Sequence, residues 1–367
     1  MSDIFGIAKS GLQAYKEGLA TTGQNIANVG NESYARRDAP ISEIKSSADV
    51  LQIANTAGYG VKIDGITRAF DKFIDLQMQS ATSGFSFSTA QATILSQLEN
   101  IVRPDQGSVS EKLNEMFSAL NIVGQDPSDL AARHVAVDAG KALVTSIKTV
   151  ANGIIDLRNF VENDIENNAA EANTILEQLK NIQKELLGTS SSNRGPNDVL
   201  DKRDALLKDL SDLIDISVDY KAGGVLEIST GTSGQGQSLM SGVNISQLEV
   251  QKTDGISKLF AKSANGVGLS KVQVQSGKIA GNLAADLVLA ETKSELDLLA
   301  RKLTSEFNEI NSFGVDLDGE MGGKFFSLDG VKIEKKSSQN SSSQILLSGE
   351  VEKFIGQNFE LSFASSE

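Results

Sequence analysis

The sequence predicts a mainly α fold with a smaller β part, an α+β class in which long helices form a rod-like bundle or coiled coil. Two segments carry this prediction. Residues 1–30 contain a heptad stripe, and a second segment after Pro127 keeps apolar steps of three and four over about 60 residues. Alternating patterns and Gly-containing turns predict β-hairpins at about 215–275, and strands at 344–347 and 358–363 predict an outer β domain.

The stripe at the start of the chain lies along one side of a single predicted helix, and Thr22 is its one polar member. A helix with such a stripe is marginal in water unless something covers it. The cover comes either from the rest of the fold or from other chains. We therefore predict an assembly interface made of Phe5, Ala8, Leu12, Tyr15, Leu19, Ile26 and Val29.

The later long helix has its own predicted seam. The seam runs through Val137, Gly140, Val144, Ile147, Ala151, Ile154, Arg158, Val161, Ile165, Asn168, Ala172, Ile175, Leu179, Ile182 and Leu186. A helix of this length, about 90 Å, exceeds the usual globular range and indicates a bundle or coiled coil.

Composition shifts predict four parts of the chain. They are an N-terminal polymerisation helix at 1–33, an extended or β connector at 34–84, a long-helix bundle with hairpins at 85–326, and the incomplete start of an outer inserted β domain at 327–367. Helical spacing stops in the Ser/Gly-rich stretch 80–88, which predicts a break between two helices. Ser108 and Glu111 have the spacing of a capping box, which predicts a further helix start there.

Charge and composition exclude several classes of function. The chain has 34 Lys+Arg against 48 Asp+Glu, a net charge of −14, so we expect no nucleic-acid partner. The absence of Cys excludes disulfides, thiolate catalysis and Cys-type zinc sites. No stretch approaches 18 apolar residues, and the first helix has little Lys or Arg on its polar face, so we expect no membrane partner.

The residues do not predict a catalytic, cofactor or metal site. His134 is the only histidine, which disfavours His-based triads and multi-His metal sites. Residues 316–320 resemble part of a calcium loop, but the required ligand positions fall on Gly314 and Phe325, so a glycine turn is the better interpretation. The charged residues at 201–204 are interpreted as a solvated helix face or an inter-helix contact. An enzyme is therefore the least favoured class.

The N-terminal segment resembles the signature of the bacterial flagellar axial proteins, the group of rod, hook and hook-associated proteins. The resemblance rests on Ser10-Gly11-Leu12-Gln13-Ala14, Leu19 and a turn motif, and Ser33 departs from it because the family has Gly there. Residues 58–61, 70–73, 199–204 and 319–326, together with the long helix, resemble the hook-associated members that join hook to filament. The turn motif comprises Asn25, Ile26, Ala27, Asn28, Tyr34 and Arg36.

The resemblance implies a structural subunit of the flagellum that self-assembles through terminal helices and needs no cofactor. It implies as partners other copies of the chain, neighbouring axial proteins (the hook protein and a second junction protein) and an export chaperone. It implies an extracellular location that is reached without a cleaved signal peptide. Family members end in a C-terminal helix that packs on the first one, and we expect this chain to correspond to a member that stops within the outer domain.

Two alternatives remain open from the sequence. The first is another flagellar axial component, such as the hook or distal rod protein, which would share the N-terminal signature. The second is a non-flagellar coiled-coil binding module, in which the Asn25–Asn28 turn would be accidental.

Overall fold

The computed structural model describes residues 4–44, 60–104, 106–188, 196–221, 224–231, 234–253, 255–263 and 268–327. A mainly α fold with a smaller β part is confirmed. The predicted strands at 344–347 and 358–363, and with them the outer β domain, lie outside the described residues. The helices are α1 (Ile4–Ala27), α2 (Lys72–Val102), α3 (Val109–Gln125), α4 (Leu130–Gly188), α5 (Asn197–Leu213) and α6 (Lys278–Phe313).

The chain divides into two compact units. Unit 1 comprises Met1–Ile94 and Val161–Asp286, and unit 2 comprises Leu95–Phe160 and Leu287–Glu367. The boundaries fall inside α2, α4 and α6, so each of these helices contributes residues to both units. The four-part division drawn from the sequence stays a prediction.

All strands of the described ranges belong to unit 1, and their pairings are antiparallel. Two short ribbons follow α1: β1 (Arg37–Asp38) pairs with β4 (Thr67–Arg68), and β2 (Ile41–Glu43) pairs with β3 (Val61–Ile63). The predicted hairpins at 215–275 form two sheets. One contains β5 (Ile216–Tyr220), β6 (Leu226–Thr230), β7 (Ser238–Ser241) and β8 (Asn244–Ile245) in chain order, and the other has β10 (Ile256–Lys262) between β9 (Gln247–Thr253) and β11 (Leu269–Lys271).

The core of unit 1 combines α4, α5 and these sheets. Leu179 of α4, Leu207 of α5 and Ile228 of β6 are among its fully buried side chains. Asn173 of α4 also bonds to the backbone of β9, where it donates to the Leu248 carbonyl (2.9 Å) and accepts from the Leu248 N–H (2.7 Å). The long helix is therefore tied to the β part by polar as well as apolar contacts.

Helix α4 confirms the predicted long helix, with 59 residues. Its second half buries most of the predicted seam. In the first half Ile154 is the buried member of the predicted seam, and the other buried side chains there include Leu143, Val150 and Leu157, each of which precedes a predicted seam residue by one position. The two halves belong to different units, and each half buries the side that faces its own core. The buried predicted residues are Ile154, Val161, Ile165, Asn168, Ala172, Ile175, Leu179 and Ile182.

Helix α2 is continuous through residues 80–88, so the predicted break there is wrong. The serines are used for contacts within unit 1: Ser83 Oγ lies 2.6 Å from Ser276 Oγ, and Ser86 donates to the Asp212 carboxylate. The beginning of α6 also approaches closely, because a Cβ added at Gly281 would lie 2.5 Å from the Phe87 carbonyl oxygen. These contacts outweigh the weak helix propensity of Ser and Gly.

Unit 2 contains an aromatic cluster around the end of α6. The ring centroid of Phe307 lies 5.9 Å from Phe117 and 5.6 Å from Phe326, and Phe325 lies 4.9 Å from Phe326. Asn308 bonds to the same segment, because its Oδ1 accepts from the N–H groups of Phe325 (2.8 Å) and Phe326 (2.9 Å). The segment that follows α6 therefore packs back onto it.

The predicted capping box opens α3. Ser108 Oγ accepts from the Glu111 N–H at 3.2 Å. The Glu111 carboxylate accepts from the Gly107 N–H at 2.6 Å, one residue earlier than the standard motif. The side chains thus satisfy two backbone donors near the helix start.

Candidate assembly surface

Near its start, α1 is attached to the β2–β3 ribbon through Ser10. Ser10 Oγ donates to the Ile7 carbonyl within the helix (2.8 Å) and accepts from the Val61 N–H of β3 (3.2 Å). Gly60 has a φ of +101°, and a Cβ added there would overlap Ser10 Oγ. Glycine at position 60 therefore permits the close approach of β3 to the helix.

Near its end, α1 is attached to β1 through the amide of Asn25. The Asn25 Nδ2 group donates to the Arg37 carbonyl at 2.9 Å, and Oδ1 accepts from the Arg37 N–H at 3.0 Å. The same Oδ1 accepts from the Tyr34 hydroxyl at 2.9 Å. An amide is the side chain that can donate to and accept from one backbone residue at once, which explains Asn at this position.

The face of α1 that carries these contacts is made of small and polar residues. Ala14 and Thr21 are its buried members, and the Thr21 hydroxyl donates to the Glu17 carbonyl of the same helix (2.9 Å). Gly11 and Gly18 lie on the same side and are partly buried. The helix is therefore held mainly by hydrogen bonds and close backbone approach, with little burial of large apolar side chains.

The opposite face carries the predicted interface, and all seven of its residues are solvent-exposed. Leu12 and Leu19 are each 75% exposed, and Val29 is 89% exposed. An amphipathic helix ordinarily turns its apolar face towards the core, so α1 is inverted relative to that rule. Contiguous exposed apolar surface of this kind marks interaction sites. The other described residues of the fold do not cover this stripe.

The structure brings together part of the predicted turn motif. Asn25 and Tyr34 bond to each other, and Asn28, which directly follows α1, donates to the Gln24 carbonyl in the last turn of that helix (2.9 Å). Ile26 and Ala27 are exposed on α1. Arg36 is also exposed and pairs with Asp38 at 3.2 Å.

Arg37, which the motif did not include, makes the buried contacts instead of Arg36. Adjacent strand residues point to opposite sides of the strand. Arg37 opens β1 and Arg36 directly precedes it, so alternation along the extended segment places their side chains on opposite sides, and this alternation is the signal that could have found Arg37.

A buried ion cluster connects the β1–β4 ribbon to α5, and it corrects the interpretation of residues 201–204 as a solvated or inter-helix surface. Arg68 pairs with Asp201 at 2.7 Å and with Asp204 at 2.5 Å. Arg37 pairs with Asp201 at 3.4 Å, and Arg203 pairs with Asp204 at 2.8 Å. Each of these five side chains is at most 18% exposed.

Tyr220 of β5 borders this cluster. The guanidinium of Arg203 lies 4.7 Å from its ring centroid, and the ammonium of Lys72 lies 5.3 Å from it. Burial raises the pKa of the Tyr220 hydroxyl to about 12. Burial also raises the pKa of nearby Asp75, and the negative charge of Asp204 adds to this shift. The surroundings of the cluster therefore disfavour additional negative charge.

The cluster is a structural contact and does not resemble a reactive centre. Asp201 and Asp204 each face arginines, and the described residues contain no group of three or more His, Cys, Asp or Glu placed to hold a metal ion. Asp316, in the segment resembling a calcium loop, accepts from the N–H groups of Asp318 and Glu320, each at 2.9 Å. Among the described helices, none is long and apolar enough to cross a membrane.

Known proteins resemble the chain along most of its length. It is 26% identical to flagellar hook-associated protein 1 of Salmonella typhimurium over 96% of this chain and 64% of that protein. It is 26% identical to flagellar hook-associated protein 1 of Bacillus subtilis over 89% of this chain and 70% of that protein. The chain thus spans somewhat less than two thirds of the Salmonella relative's length.

The fold has a counterpart among solved structures. The flagellar hook junction protein FlgK from Burkholderia pseudomallei superposes with a TM-score of 0.61 at 22% identity, over 68% of this chain and 46% of that one. Residues 95–326 match the family described as the flagellar hook-associated protein FlgK helical domain. Because this match spans more than half of the sequence, the chain belongs to the flagellar hook-associated protein family that carries the FlgK helical domain.

Proposed function

We propose that this protein is a structural subunit of the bacterial flagellum that joins hook to filament and assembles through the apolar stripe of α1. The observation that carries the proposal is the inverted orientation of that helix. Its small polar face binds the ribbons, and Leu12, Tyr15, Leu19 and Ile26 are exposed on the other side. Assembly of copies would remove this apolar surface from water, at about 25 cal/mol per Å².

Family membership and the names of the relatives support the flagellar part of the proposal. The relatives are named hook-associated proteins, and the solved counterpart is named a hook junction protein. The family match covers the helical domain, which favours a hook-associated role over a hook or distal rod protein and over an unrelated coiled-coil module. The role is mechanical, since it depends on packing between subunits and requires no catalytic group.

The proposed partners follow from this role. They are other copies of the chain, the hook protein and a second junction protein as axial neighbours, and a chaperone during export. The proposed location is the extracellular flagellum, reached without a cleaved signal peptide. An assembled subunit in this position would need its interaction surface exposed before incorporation, as the stripe on α1 is.

The test places a charge on the stripe. Leu12→Asp and Leu19→Asp, introduced into the flagellated bacterium that carries this protein, should abolish swimming and attached filaments, because each carboxylate would have to be buried on assembly. Swimming is scored in soft agar, and filaments are counted by electron microscopy. The purified variants should keep the far-ultraviolet circular dichroism of the parent protein, since both leucines are exposed.

Gln13→Asp is the matched control. It adds the same charge to α1 beside Leu12, on an exposed position outside the stripe. It should leave swimming and filaments intact. Normal flagella in the Leu12→Asp and Leu19→Asp strains would refute the proposed assembly role of the stripe.

A further inference from the structure

Helix α1 and the two ribbons that follow it have almost no apolar core. We call them the α1–ribbon module, defined as the described residues 4–44 and 60–69. Among these residues Ala14 is the one buried apolar side chain, and Thr21 is the one buried polar side chain. The remainder of unit 1 is different, because its helices and sheets bury many large apolar side chains, Leu179 among them. Since apolar burial is the main favourable contribution to folding, the module must be held by other contacts.

The parts of the module depend on one another. A two-stranded ribbon is at best marginally stable on its own in water. Ser10 of α1 binds the N–H of Val61 in β3, and Asn25 of α1 binds the backbone of Arg37 in β1. Loss of the helix would remove a partner from each ribbon, and loss of a ribbon would remove a partner from the helix. We therefore expect the three parts to open together.

The module is attached to α5 through charged and polar groups. Asp201 of α5 pairs with both Arg37 (3.4 Å) and Arg68 (2.7 Å) of the module. Asn197, at the start of α5, donates to the Ile66 carbonyl at 3.0 Å. Buried ion pairs of this kind fix one geometry, and removal of one partner leaves the other as an uncompensated charge.

The ion cluster would divide unevenly if the module separated from α5. Asp204 would keep Arg203 of its own helix, which donates to it at 2.8 and 3.0 Å. The described ion pairs of Asp201, in contrast, are all made with the arginines of the module. Asp201 is therefore the carboxylate whose pairing depends on the module being in place.

The connection from the module to α2 does not oppose separation. Strand β4 ends at Arg68, and α2 begins at Lys72. Asp71 Oδ1 accepts from the N–H groups of Phe73 (2.9 Å) and Ile74 (3.3 Å), so a residue next to the helix caps it. The start of α2 can therefore remain helical without contacts from the module.

We propose that the α1–ribbon module opens as one cooperative unit while the core of unit 1 stays folded, and that Asp201 is the residue that holds the module closed. Opening releases the helix that carries the apolar stripe from its fixed orientation on the core. The inference concerns the single chain and does not depend on the proposed flagellar role. Either can fail while the other stands.

Native-state hydrogen exchange of the purified full chain, resolved by NMR, tests the opening. The amides that report on the module donate to acceptors within it, and they are Arg37, Ile44, Val61 and Ala69. The amides that report on the core of unit 1 are Ile214, Leu248 and Val272. After correction for intrinsic rates, the module amides should exchange at least tenfold faster than the core amides. Equal protection of the two sets would overturn the inference.

Leu179→Ala separates opening of the module from unfolding of the core. The cavity should speed exchange of the core amides on the order of a hundredfold. The module amides should change less than twofold, because the core is still folded when the module opens. Equal acceleration of both sets would show that the module opens only when the core unfolds, which contradicts the proposal.

Asp201→Asn tests what holds the module closed. The change removes the charge that faces Arg37 and Arg68, so all four module amides should exchange at least tenfold faster. Asp209→Asn, the same substitution at an exposed position of α5, is the matched control and should change them less than twofold. Core amides cannot serve as the control for this variant, because unfolding of the core breaks the cluster as well.

Two results with these variants would count against the proposal. Equal exchange rates in Asp201→Asn and Asp209→Asn would remove Asp201 from its role. Acceleration at Arg37 and Ala69 without acceleration at Ile44 and Val61 would show that the two ribbons open separately. The comparison with Leu179→Ala leaves the ion cluster intact, so it decides whether the module opens on its own even if Asp201→Asn does not fold.

Discussion

The α1 stripe and the ion cluster on α5 reverse the usual distribution of side chains in opposite ways. On α1, large apolar residues such as Leu12 and Leu19 are exposed. In the cluster, Asp201 and Arg203 are buried. Arg37 connects the two regions, because its backbone bonds to Asn25 of α1 and its side chain pairs with Asp201. In this region polar groups hold α1, the ribbons and α5 together, and the apolar face of α1 stays exposed.

This difference follows from the directionality of the two kinds of contact. Hydrogen bonds and ion pairs fix geometry, and a single well-placed amide or guanidinium is sufficient to orient a helix or a ribbon. Apolar area is non-directional and contributes wherever it is buried. A subunit that must present a defined surface to another copy can therefore hold that surface with polar contacts and leave the apolar area for association.

The largest effect is expected from breaking the cluster. Arg68→Met would leave Asp201 and Asp204 without their closest partner, and such changes cost about 3–5 kcal/mol. Urea unfolding followed by circular dichroism measures the loss. Arg36→Met, which removes the exposed arginine directly before β1, is the control and should be neutral. Equal losses of unfolding free energy for the two variants would mean that the buried Arg68 stabilises the fold no more than the exposed Arg36 does.

The second test applies one substitution to an exposed and a buried leucine. Leu179→Ala in the core of unit 1 should lower the free energy of unfolding by about 3 kcal/mol, because it leaves a cavity. Leu19→Ala should change it by less than about 0.5 kcal/mol, because that side chain is already exposed. The same urea titration compares them. A large loss for Leu19→Ala would show that the stripe is covered within the monomer.

The third test removes the attachment between the two regions. Asn25→Ala should cost about 1–2 kcal/mol locally, because the Arg37 backbone and the Tyr34 hydroxyl lose their partner. Hydrogen exchange at the Arg37 amide measures this opening and should become faster. Asn28→Ala serves as the comparison, since the Asn28 side chain donates to the Gln24 carbonyl and has no described bond to β1. Unchanged exchange at Arg37 would contradict the proposed attachment.

The smallest effect concerns pH. The pKa of Tyr220 is raised to about 12 in the folded chain, from 10.0. The unfolded chain therefore releases this proton first as the pH rises above 10, so stability falls between pH 10 and 12. By pH 11 the loss should reach about 1 kcal/mol. Tyr220→Phe keeps the ring beside Arg203 and lacks the proton, so its stability should decline less between pH 9 and 11 in urea titrations. Identical slopes for both proteins would refute the raised pKa.

Local patterns were sufficient to predict several parts of the fold. The helix at the start, the long helix α4, the hairpin of β5 and β6, and the cap at Ser108 all follow from spacing or from turn and capping residues within a few positions. The wrong prediction, a break in α2 at 80–88, concerns residues that contact segments far along the chain. The serines at 83 and 86 form part of a continuous helix because Ser276 and Asp212 bind them, and neither partner can be recognised from the residues around α2.

The candidate site divides in the same way. The positions of the α1 stripe were predicted residue by residue, because a heptad pattern fixes which side chains share a helix face. The sequence also supplied Asn25 and Tyr34, through family resemblance. It did not supply Arg37 and Arg68, because their carboxylate partners on α5 lie more than 100 positions further along the chain.

The sequence by itself therefore determined the class of the fold, the length of α4 and which residues of α1 form an apolar face. Only the tertiary structure decided that this face is left exposed, that the small face of α1 is the attached one, and that the charges of α5 are buried. The physical reason is that helical periodicity arises from neighbouring residues, whereas exposure depends on whether a distant segment of the chain packs against a given face.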